Sequence, residues 1–378
     1  MMMPIKGIKK LPISINKERA AELFIKLTTV ASDITRLDEK LKNSLVASEL
    51  VYTLALKESV QSTRIEGTQV TFTDMINETH TPRQTQEHLE ILNYRKALFM
   101  GEERIRNGYP LTTRFILDLH KLLMEGGRGT EANRGEFRKV PNWIGPTNRF
   151  EDAVYIPVEA DEIEDFMKNW EMYANKHPYG EKMSITHLPK SEYVIDEHAH
   201  PLLKIAILHA QFESIHPFLD GNGRIGRIII PLYMMQVGQL PSPIFFVSEE
   251  LEKQRAKYYH LLNGTRGKYP DWYSWLTFFI DASGRMAKKL NKLLDEANSL
   301  AKEGLAQCTT QTEKYIYLLT FSRPNITAVE ATKHIRVTPS TARRALNALV
   351  EKELLFKDQT QKRNIEYFNY NILELFDR

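Results

Sequence analysis

Cysteine is almost missing from this chain: one residue, Cys308, in 378. That excludes a disulfide framework and suits a reducing compartment. Long apolar runs are missing as well, none approaching the roughly 20 residues of a membrane span. The first residues, Met1 to Leu11, are basic but lack the apolar core and small-residue cleavage site of a secretory signal. A soluble, cytoplasmic protein with no membrane partner is the expectation. Internal repeats and low-complexity linkers do not occur. No charge of one sign dominates either: 51 Lys and Arg face 48 Asp and Glu, a net of +3. That excess is local, because residues 309–378 hold 11 Lys and Arg against 8 Asp and Glu, so any pull on a polyanion belongs to the C-terminal end. What remains is an ordinary globular composition, 42% apolar, in a chain long enough for two or three domains of roughly 100–200 residues.

One stretch stands out against that background: His216-Pro217-Phe218-Leu219-Asp220-Gly221-Asn222-Gly223-Arg224-Ile225-Gly226-Arg227. Gly221 and Gly223 flank Asn222 and let the backbone turn sharply, so that several N–H groups aim at one place. After Arg224 the pattern turns apolar and helical (Ile225, Ile228, Ile229, Leu232, Tyr233), which puts the turn at a helix N-terminus, a natural seat for phosphate. Arg224 and Arg227, three apart, share a face and can fork onto phosphate oxygens. Asp220 is a hard-oxygen ligand of the kind magnesium takes beside substrate phosphates. His216 can accept a proton near neutral pH. A capped helix start with solvated arginines would account for each feature singly, but not for the combination.

The stretch resembles the Fic family signature, His-x-Phe-x-Asp/Glu-Gly-Asn-Gly-Arg-x-x-Arg, with every fixed position present. The resemblance implies a mainly α protein built on a helical Fic bundle. It also implies an activity: transfer of AMP from ATP onto a Ser, Thr or Tyr hydroxyl of a target protein, with self-modification and release of pyrophosphate. On that likeness His216 is the general base, Asp220 the magnesium ligand and Phe218 a core anchor. Gly221, Asn222 and Gly223 cradle the phosphates, with Arg224 on the inner ones and Arg227 on the γ-phosphate. Homodimers are frequent in the family.

Upstream, Ser62-Thr63-Arg64-Ile65-Glu66-Gly67 ends a helix that begins near Leu50, with Leu54, Ala55, Val60 and Ile65 as its apolar stripe and Gly67 past its end. Ser62 and Glu66 share a face. Taken locally, Glu66 is a surface carboxylate at an unfavourable helix end. Beside the first motif, the stretch resembles the family's inhibitory signature, Ser/Thr-x-x-x-Glu-Gly/Asn. The likeness is to the class held shut by its own N-terminal region, and it implies that Glu66 pairs with Arg227 and keeps it from the γ-phosphate. A nearby alternative is removal of AMP by the same residues. A different one is a DNA-binding regulator whose Fic domain senses nucleotide without turnover.

The rest of the chain divides into an N-terminal helical region (1–105), a catalytic domain (106–305) and a C-terminal domain (306–378). A looser connection is expected at 69–86. Central helices are expected at Thr112–Gly126, Val158–Asn175 and Pro201–Ser214, the last delivering His216. His198, His200 and His209 precede it without a partner at metal-binding spacing and read as helix or loop histidines. Val140 to Ile144, the turn Gly145-Pro146-Thr147-Asn148 and Val154-Tyr155-Ile156-Pro157 suggest a hairpin. The resemblance makes it a flap that holds the target by strand pairing, and Gly135, Arg138 and Ile144-Gly145 fit it. Tyr258 and Tyr259 stand where the family places aromatics near adenine, although one of them serves the core equally well; Asn263 and Arg266 stay open as the accompanying polar contact. At the C-terminus, Tyr315, Leu318 and Leu319 mark one helix and Ala328 to His334 a second. Thr338 caps a third with Pro339 at its first position. That helix buries Ala342, Leu346, Leu349 and Val350 and turns Ser340, Arg343, Arg344 and Asn347 outward. Leu354–Phe356 and Ile365–Phe368, joined by a turn with Lys362-Arg363, complete a winged helix-turn-helix. Its partner is DNA or another protein.

Overall fold

A computed structural model describes residues 3–77, 85–126, 133–147, 149–176, 189–358, 360 and 364–377. Its helices are α1 (Lys17–Asn43), α2 (Ala47–Ile65), α3 (Phe72–Asn77), α4 (Gln86–Arg106), α5 (Thr113–Leu123), α6 (Ile163–Asn175), α7 (Pro201–Ile215), α8 (Asn222–Gln236), α9 (Ser248–Glu252), α10 (Arg255–Gly264), α11 (Trp272–Gln307), α12 (Gln311–Leu319), α13 (Ala328–His334), α14 (Pro339–Glu351) and α15 (Tyr370–Asp377). Seven short strands accompany them among the described residues: β1 (Ile5–Lys6), β2 (Ile13–Asn16), β3 (Tyr155–Ile156), β4 (Glu192–Ile195), β5 (Asn325–Thr327), β6 (Phe356–Lys357) and β7 (Glu366–Phe368). The fold is mainly helical, and the chain gathers into two compact units. One takes Met1–Thr35, Glu58–Gln69 and Thr85–Ala287; the other takes Arg36–Lys57, Val70–Gln84 and Lys288–Arg378.

The first unit is built around α7. Every residue from Leu202 to Ile215 is buried, Lys204, His209, Gln211 and Glu213 included, because the polar residues of α7 are scattered around the helix and make no polar face. Helices α6, α8 and α10 pack against it, and two indoles tie their N–H groups to its carbonyls: Trp170 to Leu208 and Trp275 to Ala206, at 2.8 and 2.9 Å. Helix α8 also lies against α4 and α5. Two ribbons edge the unit, β2 with β4 antiparallel (Ile13 opposite Ile195) and β1 with β3 parallel (Ile5 opposite Tyr155).

The expected central helices form with shifted ends. Thr112 caps α5 by accepting the Phe115 N–H at 3.2 Å. Helix α6 starts at Ile163 rather than Val158, because a capping box at Glu159 and Glu162 first closes a 3-10 turn over Ala160–Glu162. The segment 69–86 contains α3, and residues 78–84 of it lie outside the described residues. Only a trace of the expected hairpin forms: a single antiparallel bridge joins Ile144 to Tyr155, while β3 takes β1 as its ladder partner. The first arm fails as a strand for a local reason. Pro141 has no N–H to donate, and the Val140 carbonyl accepts a bond from Arg138 at 3.0 Å. Asn148 of the expected turn lies outside the described residues.

In the second unit α14 packs on α12 and α13. Thr338 accepts the Thr341 N–H with Pro339 at the first helical position. Ala342, Ala345, Leu346 and Leu349 are buried, Val350 is half-buried, and Arg343 and Arg344 are exposed. Strands β5, β7 and β6 make a three-stranded antiparallel sheet in that spatial order. Lys362 and Arg363 lie outside the described residues.

Candidate active site

Helix α7 begins cleanly, with Pro201 at its first turn and His200 Nδ1 accepting the Leu202 N–H at 3.1 Å. It ends at His216, whose φ of 49° is left-handed; Pro217, next in sequence, disfavours a right-handed helical conformation there. The chain then crosses five residues and restarts as α8. Asn222 braces the crossing with its side chain, accepting the Phe218 N–H at 2.9 Å and donating to the Phe218 carbonyl at 2.8 Å. Gly221, at φ 79°, makes the left-handed turn in front of it. Phe218 is fully buried and stacks on His120 of α5, with ring centroids 3.7 Å apart and planes 5° from parallel. His120 Nδ1 accepts the Gly135 N–H at 3.0 Å, which leaves the proton on Nε2 to meet the Asp220 carbonyl at 3.1 Å. Burial pushes His120 down to about 4, in keeping with a neutral ring that props the loop.

The first turn of α8 presents N–H groups with no partner inside the helix, and the charged side chains converge on it. Arg224 reaches Asp220 at 3.1 Å and Glu90 at 3.5 Å. Asp220 keeps its carboxylate largely exposed and accepts the Gly221 N–H at 2.6 Å. Arg227 is 1% exposed and fully engaged by α2 and the residue just past it: Nε donates to Ser62 Oγ at 2.8 Å, and Nη2 to the Ser62 carbonyl at 3.1 Å and Glu66 Oε1 at 2.5 Å. Glu66 remains 40% exposed, and its oxygen lies so close above Gly223 that a Cβ there would stand 2.3 Å away. The carboxylate thus lies over the first turn of α8, beside Gly223 and Arg227. Gly67, with φ of 104°, reverses the chain just beyond it. Burial works against both charges of the pair. The Arg227 charge and hydrogen bond, with smaller charges beside them, outweigh it at Glu66 and hold that carboxyl below its usual range; at Arg227 the Glu66 charge together with Tyr258 and Glu213 outweighs it and raises the guanidinium further.

Two more carboxyls stand in the field of Arg227. Burial pushes Glu213 up to about 7, and Glu58 likewise to about 7. Glu58 accepts hydrogen bonds from Tyr94, at 3.2 Å, and from Ser248. His216 is half-buried, with Nδ1 buried and without a hydrogen-bond partner among the described residues. Burial first, then the charge of Arg266, push it down to about 3, so the ring is neutral across ordinary pH.

Residues 110–234 match the Fic/DOC family and residues 25–103 match the Fic/DOC family N-terminal region. The chain carries a Fic domain behind a Fic N-terminal region. It is 26% identical over 243 residues to a protein of Drosophila willistoni named protein adenylyltransferase Fic, covering 64% of this chain and 41% of that one. A protein of the same name from Drosophila erecta is 29% identical over 176 residues, covering 47% of this chain and 29% of the other. The chain therefore spans less than half the length of these curated relatives. Among solved structures, a Fic family protein from Desulfovibrio desulfuricans G20 superposes with a TM-score of 0.53 at 19% identity, over 96% of this chain and 98% of that one. Fic-1 from C. elegans gives 0.52 at 18% identity, over 74% of each chain. At such identities the structural likeness concerns the fold.

Beyond the matched Fic residues, α10 places the two tyrosines differently. Tyr258 is buried with its hydroxyl 2.9 Å from His209 Nε2, a core residue that also accounts for His209. Tyr259 is 37% exposed. Among the described residues no group of three or more His, Cys, Asp or Glu could enclose a metal. Three residues outside the two motifs also take part, and of these Glu58 alone went unnamed in the sequence. Glu58 sits one helical turn before Ser62 on the face that meets Arg227, Arg138 donates to the His216 carbonyl at 3.0 Å, and Arg266 is buried beneath the end of α7. Only the helical spacing of Glu58, Ser62 and Glu66 could have pointed to the first.

Proposed function

We propose that this protein is an autoinhibited protein adenylyltransferase, transferring AMP from ATP to a Ser, Thr or Tyr hydroxyl of a target protein and to itself. The observation that carries it is one geometry: a neutral, half-buried His216 at the end of α7 beside a helix N-terminus armed with Arg224 and Arg227. The name of the relatives supports the same chemistry. His216 takes the hydroxyl proton while the oxygen attacks the α-phosphorus; the bond from that phosphorus to the bridging oxygen breaks, and pyrophosphate leaves. The proton then passes from His216 to solvent. The α8 N–H groups and Arg224 hold the inner phosphates and Arg227 the γ-phosphate; Tyr259 lies against the base. The Asn222 side chain braces the loop, so its part in the cradle is its backbone N–H. Magnesium fits the donor set, because Asp220 offers an exposed carboxylate beside the phosphate seat and this ion takes one or two carboxylates plus phosphates; when bound it neutralises phosphate charge.

Inhibition follows from the same contacts. Arg227 gives its donors to Ser62 and Glu66, and the Glu66 carboxylate fills the anion seat. We assign residues 1–105 to the inhibitory helical region, 106–305 to the catalytic domain and 306–378 to a winged helix, for which α12–α14 and the small sheet supply the parts. Glu66 is exposed enough to orient a water, which supports removal of AMP at the same site as a second reading.

Incubation with labelled ATP and magnesium tests the proposal. Glu66→Gly is expected to label itself far more strongly than wild type, and His216→Ala in that background to lose about 10²–10⁴-fold. Equal labelling of wild type and Glu66→Gly would overturn the inhibition; undiminished labelling without His216 would overturn its role as base. A mass shift other than that of AMP would replace the transferred group.

A further inference from the structure

The last turn of a helix leaves its carbonyls without partners, and here that turn carries the base. Its acceptors are met from below by three side chains. Tyr155 donates its hydroxyl to the Ser214 carbonyl at 2.7 Å, and Arg138 donates Nε to the His216 carbonyl at 3.0 Å. Arg266 donates Nη2 to the Glu213 carbonyl at 3.1 Å, Nε to Ser214 Oγ at 3.0 Å and Nη1 to Asn263 Oδ1 at 2.6 Å. Its guanidinium lies 4.0 Å from the centre of the Tyr155 ring. A buried guanidinium with no ion-pair partner among the described residues is costly to keep, and every nitrogen of this one is spent on the end of α7 or on the residue that orients it.

We propose that Arg266 is a positioning residue for the transfer step: it clamps the last turn of α7 and so holds left-handed His216 in place to take the proton. Asn263 acts behind it as the orienting acceptor. The proposal rests on the adenylyltransferase reading above. A second consequence follows from charge. The groups that face His216 are Arg266 and Arg138, which disfavour its protonation, and Glu66, which favours it, with burial the largest influence. Removing the Arg266 charge therefore makes His216 easier to protonate.

Arg266→Met and Arg266→Lys, each in the Glu66→Gly background, separate the contributions. Lysine keeps the charge but cannot span the acceptors of the guanidinium fork; methionine keeps neither. Both are expected to lower kcat about 10²-fold at saturating ATP, the scale of a misplaced catalytic group, with KM for ATP unchanged. The His216 imidazole, followed by NMR, is expected to titrate higher in Arg266→Met and near the parent value in Arg266→Lys. That titration does not depend on turnover, so it is read even if the parent transfers no AMP, an outcome that would sink the adenylyltransferase reading alone. Loss through KM with kcat intact would return Arg266 to the nucleotide, and unshifted titration together with normal kcat would overturn the proposal. Should Arg266→Met not fold, the kcat-against-KM split of Arg266→Lys decides it.

Discussion

Arg227 and its carboxylates make the residue scale the natural place for pH arguments. The Glu66 carboxyl lies below its usual range, so its contribution to the closed pair is present above the unfolded value of 4.5 and lost as pH falls through the folded one. Ordinary pH changes do not open the site through Glu66. Glu58 behaves in the opposite sense, because burial raises it from 4.5 to about 7. Its protonated form is favoured in the folded protein, so its contribution is fully present below the unfolded value and is lost as pH rises through about 7. Thermal melting should therefore fall between about pH 5 and about pH 8, and by less in Glu58→Gln, which cannot ionise yet keeps an acceptor for Tyr94 and Ser248. Identical pH slopes for the two proteins would remove Glu58 as the source.

At the scale of elements, α2 works as a ruler. Glu58, Ser62 and Glu66 recur every four residues, one per turn, and all meet the surroundings of Arg227. The strength of the block is graded along it: Glu66 supplies charge and fills the anion seat, whereas Ser62 supplies one hydroxyl acceptor. Ser62→Ala should leave Arg227 Nε buried and unpaired, destabilising the closed arrangement by about 1–3 kcal/mol. Self-labelling should rise, but less than in Glu66→Gly; a rise as large would mean that charge is not what keeps ATP out. The contact between α2 and α8 was legible in the sequence because both partners lie in long motifs. His120 was not, because a single histidine has no spacing to betray it, and Arg138 and Arg266 were named only as flap and nucleotide contacts, not as partners of the end of α7. Their roles come from carbonyls and rings that only the fold brings near. Of the expected hairpin the described residues form only the Ile144–Tyr155 bridge, since Pro141 has no N–H to donate and Arg138 claims the Val140 carbonyl.

For the whole molecule, a mainly helical fold was legible from periodicity and capping residues. The division into two compact units was less so, since α1, α2 and α11 each supply residues to both, and helical periodicity does not change at such a border. The charge asymmetry, by contrast, is a property of composition that survives folding. The C-terminal unit exposes Lys333, Arg336, Arg343, Arg344 and Lys357. A winged helix that docks α14 against duplex DNA would set most of these on phosphates and release the corresponding counterions. Binding of the full chain to random duplex should then weaken steeply with salt, with a slope of roughly −4 in log K against log salt. Substituting Arg343 and Arg344 with alanine should flatten that slope by about two. Duplex binding that is absent at low salt, or indifferent to salt, would leave this face to a protein partner, because no recognition of a polyanion by exposed arginines escapes counterion release.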